Sequence, residues 1–166
     1  KADHQQHKPN CLAFVDAKQE KRDKKVQAKA AAAANEGETE TPPPKGKATA
    51  GDSGRLWGAC LNGRLDEVRS LLDLDGIQIN DDQYGCTPLY AASQNGHVAI
   101  VKVLLKAGGN VNQATTDIGA SPLFTASHKG YIDLVKVLIK AGGNVNQATN
   151  DGRTPLWQAS QNTNVD

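Results

Sequence analysis

The stretch Thr87–Asn112, TPLYAASQNGHVAIVKVLLKAGGNVN, is said again at 121–146 as SPLFTASHKGYIDLVKVLIKAGGNVN, and at 154 the chain starts a third time with TPLWQASQN. Pro88 and Pro122 stand 34 positions apart, and Pro122 and Pro155 stand 33 apart. A self-similar period of this length marks a stacked-repeat architecture, in which each unit buries its apolar face against its neighbours.

Each position of the unit has a physical task. Thr87, Ser121 and Thr154 carry hydroxyls suited to an N-cap, and Pro88, Pro122 and Pro155 follow at the first helical position, where a missing N–H costs nothing. A short helix A is expected over 88–95 and 122–129, with small Ala92 and Ala126 where neighbouring helices approach. Gly96 and Gly130 end it in a conformation that favours positive φ. Helix B follows over 98–107 and 132–141. Its apolar residues Ile100, Val101, Val103, Leu104 and Leu105 cover more than one narrow stripe, as a helix held between two repeats requires. Gly108-Gly109 and Gly142-Gly143 stop it, and Asn-Val-Asn leads into a loop closing at Gly119 or at Asp151-Gly152.

The period, with T-P-L opening each unit, resembles the ankyrin repeat over about residues 54–166. The resemblance implies an all-α solenoid of helix-turn-helix units with β-hairpin-like fingers projecting from the stack. Residues 55–80 read as a weaker copy, since Leu56, Trp57, Ala59, Gly63, Val68, Leu71 and Leu72 each precede their counterparts from Leu89 to Leu105 by 33 positions. Arg64, Asp66, Glu67 and Arg69 give it the polarity of a terminal cap repeat. The repeats are therefore expected at about 54–82, 83–115, 116–149 and, in part, 150–166. With no Met at position 1 and the last copy halting after helix A, the chain reads as a piece of something longer.

Residues 1–53 differ in kind. Lys18, Lys21, Arg22, Lys24, Lys25 and Lys29 outnumber Glu20 and Asp23, an Ala-rich run occupies 28–34, and Pro42-Pro43-Pro44 sits in a Gly/Ser/Thr/Lys linker. Such a segment has too little apolar surface to offset chain entropy, so a mostly disordered tail is expected. A basic docking arm or a nuclear-import signal at KRDKK is the sharper alternative. His4, His7 and Cys11 fall short of the four ligands zinc wants, so no metal site is read there.

Charge narrows the function further. The whole chain carries a net charge of +1, and residues 54–166 hold nine Lys/Arg against ten Asp/Glu, which argues against nucleic acid as the partner of the repeats. No apolar run approaches a membrane span and no signal-peptide pattern opens the chain. Cys11, Cys60 and Cys86 form no spacing pattern. With the family's mostly intracellular setting, that points to reduced thiols and to an intracellular chain, cytoplasmic before nuclear. No nucleophile elbow or phosphate loop is present, so neither an enzyme nor a cofactor site is expected.

The family's usual T-P-L-H has His in the slot held here by Trp57, Tyr90, Phe124 and Trp157. Those rings either fill gaps between adjacent A helices, as aromatics mostly do, or form an exposed strip gripping a ligand. His97 matches the family's G-H after helix A and reads as structural, whereas His128 falls on the helix-A face that ankyrin proteins use for partners. The resemblance implies a protein–protein interaction module with a concave binding face. Carried over by position, its finger residues are Gln83, Tyr84 and Cys86, then Asp117, Ile118 and Ala120, then Asn150, Asp151 and Arg153. Its helix-A residues are Gln94, Asn95, His128, Lys129 and Gln161. Ile118 is the extra residue of the 34-residue interval. The alternative is a polyanion or nucleic-acid tether through the basic tail, with the repeats as spacer. Asn112 and Asn146 resemble the asparagine that ankyrin repeats offer to an asparaginyl hydroxylase. Their residue chemistry alone also suits capping of backbone groups at the root of a finger.

Overall fold

Three hydroxyls start three helices. Thr87, Ser121 and Thr154 accept hydrogen bonds from the N–H groups of Tyr90, Phe124 and Trp157 at 3.2, 3.1 and 3.2 Å. Each satisfies a backbone donor that has no partner inside the first turn. The structure, a computed structural model, describes residues 46–49, 51–82 and 84–161. The basic segment, His4, His7, Cys11 and Gln83 lie outside the described residues.

Seven helices form among the described residues: α1 (Asp52–Asn62), α2 (Leu65–Leu72), α3 (Pro88–Gln94), α4 (Val98–Lys106), α5 (Pro122–His128), α6 (Ile132–Lys140) and α7 (Pro155–Gln161). The A helices α1, α3, α5 and α7 stack in order as one layer, and the B helices α2, α4 and α6 stack as the second. Both layers follow from the repeat, because every A helix meets the same face of the next. The first A helix begins at Asp52, upstream of the position 54 where the sequence pattern starts. Residues 46–48 run beside Asp75, with Asp75 N–H donating to Gly46 O at 3.0 Å and Ala48 N–H donating to Asp75 O at 2.9 Å.

The core lies between the layers. Leu56, Val68, Leu89, Val101, Leu104, Leu123, Leu134 and Leu138 are buried there, with Ala59, Ala92 and Ala126 at the helix crossings. Burying each leucine contributes about 1.5–3 kcal/mol. A second cluster forms on the finger side of the A layer from Trp57, Leu61, Cys86, Tyr90, Ala91, Ala120 and Phe124. Three of the four column aromatics therefore fill gaps between A helices. The fourth, Trp157, is 45% exposed and Leu156 is 71% exposed, since no B helix covers them among the described residues.

Helix ends are closed by contacts between repeats. Gly63 and Gly96 have φ of 73° and 71°. The His97 ring lies against Gly63 and the Tyr131 ring against Gly96, so closely that a Cβ would meet them at 2.7 and 3.0 Å. Glycine is thus required twice over, by its backbone angle and by the ring above it. His97 Nε2 is also 3.3 Å from Leu61 O, which ties the second repeat to the first.

Each of the last two fingers is a turn rather than a pair of strands. Thr115 N–H donates to Ala120 O and Thr149 N–H to Arg153 O, both at 2.9 Å. Neighbouring fingers are joined by Thr116 N–H to Gly85 O and by Asn150 N–H to Ile118 O, again at 2.9 Å. Of the described cysteines, Cys60 is free and buried, and burial pushes its thiol pKa up. Cys86 is disulfide-bonded, which corrects the expectation of reduced thiols at that position. No helix of the described residues is long and apolar enough to cross a membrane.

Candidate functional site

A groove of about 460 Å³ opens where the A helices meet the last two fingers. Tyr90 and Gln94 come from α3, Phe124, Thr125 and His128 from α5 with Lys129 following it, and Gln158 from α7. The fingers supply Asp117, Ile118, Thr149, Asn150, Asp151 and Arg153. The groove exists because A helices stack side by side while the fingers project past them, leaving a concave angle between the two.

Its floor is apolar and aromatic, with polar groups set into it. Burial pushes the Tyr90 phenol up to about 12, a hydrogen bond with Thr125 pulls it partly back, and the Asp117 charge adds to the rise. The phenol therefore stays neutral and keeps its proton at any physiological pH. Asp117 Oδ1 accepts from the Ile118 N–H at 2.6 Å, while Oδ2 is buried with no hydrogen-bond partner. The Oε1 of Gln94 is buried and unpartnered in the same way.

The outer wall is a linked polar set. The Thr149 hydroxyl donates to the Asp151 carboxylate and accepts from the Arg153 N–H at 3.2 Å. Arg153 Nε lies 2.8 Å from Asp151 Oδ2, and its guanidinium sits 5.3 Å above the centroid of the Trp157 ring. The Thr149 hydroxyl, more than the Arg153 charge, holds the Asp151 carboxyl below the usual carboxylate range. Asn150 Nδ2 donates to Asp117 O at 2.8 Å and so fastens this finger to the previous one.

Of the residues carried over by position, Gln94, Asp117, Ile118, His128, Lys129, Asn150, Asp151 and Arg153 line this groove together. The others among the described residues are elsewhere. Cys86 and Ala120 are buried in the aromatic cluster, where Cys86 Sγ accepts from Trp57 Nε1 at 3.3 Å. Tyr84 is half-buried against Trp57, with ring centroids 4.7 Å apart. Asn95 turns back on its own helix, donating to Ala91 O at 3.0 Å. Gln161 is exposed at the end of α7, away from the groove.

Tyr90 and Phe124, two rings of the aromatic column, line the groove, and so do Thr125, Thr149 and Gln158, which were not picked out as contacts. Sequence held a signal for two of them. The slot after the column aromatic is Gly58, Ala91, Thr125 and Gln158 in turn, so it grows larger and more polar toward the last repeats.

Comparison with known proteins agrees with this geometry. The family model described as ankyrin repeats in three copies matches residues 55–115 and 110–166. Ankyrin repeat domain-containing protein 39 of Homo sapiens is 37% identical over 60 residues, covering 36% of this chain and 33% of that protein. Inversin of Danio rerio is 44% identical over 59 residues, covering 34% of this chain and 6% of that protein. The matched part thus spans a third or less of the length of these relatives. Capped A helices, stacked B helices and projecting fingers all fall within the matched residues, and the chain belongs to the ankyrin repeat family.

Proposed function

We propose that this chain is a protein-binding module that holds a segment of a partner protein in the groove between α3, α5, α7 and the last two fingers. Ankyrin repeats are, as a family, interaction modules and generally without catalytic activity. The observation that carries the reading is the convergence of eight position-derived contact residues on one cavity of about 460 Å³. Its mixed lining of aromatic floor and polar rim has the character of a protein-recognition surface. The partner's identity would be set by side chains that fit this lining, and no step of chemistry is required of the groove. The basic tail enters this reading only as an accessory, because the groove lies wholly in the repeats.

Panning a displayed random-peptide library on the immobilised full chain tests the proposal. Peptides are expected whose binding is lost with Ile118→Asp, in the groove, and kept with Lys136→Glu, on the B-helix face. Peptides equally indifferent to both substitutions, or lost only with the second, would overturn it.

A further inference from the structure

We draw no further inference here: the strongest candidate, the apolar surface of the last repeats where Ile132 and Ile139 of α6 and Leu156 of α7 stand exposed, carries nothing because nothing in the structure shows what covers it.

Discussion

Asn112 reaches across one whole repeat to Gly142: its Nδ2 donates to the Gly142 carbonyl at 3.1 Å. Its Oδ1 accepts from the Asn144 N–H at 2.8 Å. Asn80 does the same one repeat earlier, donating to Gly108 O at 3.2 Å and accepting from the Asn110 N–H at 2.7 Å. Each asparagine thus clasps the backbone that leaves the next B helix, and the side chain acts as a tie between repeats.

Asn112→Ala is therefore expected to lower stability by about 1–2 kcal/mol, since two inter-repeat bonds are lost to water-accessible groups. Asn146→Ala, whose side chain has no such bonds among the described residues, is expected to change stability by less than about 0.5 kcal/mol. Urea denaturation of the two variants checks the difference, and equal losses would contradict the tie.

The glycines that end the A helices should separate by what lies above them. Gly130 has φ of 70° and no atom within 4 Å of the place a methyl group would take, whereas at Gly96 the Tyr131 ring would be met at 3.0 Å. Gly130→Ala is expected to cost about 1–2 kcal/mol from the backbone alone. Gly96→Ala should cost more, and Tyr131→Ala in the same chain should recover part of the excess. Thermal unfolding of the single and double variants reads this directly.

The aromatic column predicts a second contrast. Trp57 is 2% exposed and Trp157 is 45% exposed. Replacing Trp57 by alanine removes core packing and is expected to cost about 3–5 kcal/mol. Trp157→Ala should cost well under half of that, its ring being stacked mainly with Arg153. Trp57 fluorescence should accordingly be blue-shifted and poorly quenched by iodide relative to Trp157.

Acid should loosen the first helix through Asp52. Its Oδ2 accepts from the Thr49 N–H at 2.9 Å and from the Thr49 hydroxyl at 2.8 Å. The backbone bond above all, then the hydroxyl bond and Arg55, holds this carboxyl below its ordinary value of 3.8. A depressed folded-state pKa contributes stability that is present above the unfolded value and lost as pH falls through the folded one. Unfolding curves from pH 5 downward, about a unit above that ordinary value, should therefore show a loss that Asp52→Asn removes. An Asp52→Asn chain with the same acid dependence as the natural one would contradict it.

Periodicity alone was enough for the A and B helices, their hydroxyl caps and the glycines that close them, because each of these is a local preference repeated at fixed spacing. The helices end one residue earlier than the pattern suggests, at Gln94, Lys106, His128 and Lys140, because the residue before each closing glycine serves as the C-cap rather than as a further helical residue. The start at Asp52 was not legible, as it depends on Thr49 and on the packing of residues 46–48 beside Asp75.

At the candidate site, position in the repeat carried eight residues into the groove, yet it treated Cys86, Ala120 and Tyr84 as equals of Asp117 and Ile118. Only the stacked structure separates them, because the first finger folds its side chains against Trp57 while the second projects Ile118 past Phe124. The sequence by itself determined the unit, its period and the column of rings, all of which are properties of one repeat. The tertiary structure alone decided which rings are buried, which acceptors go unpaired and where the groove lies, because those depend on what the neighbouring repeat places against each side chain.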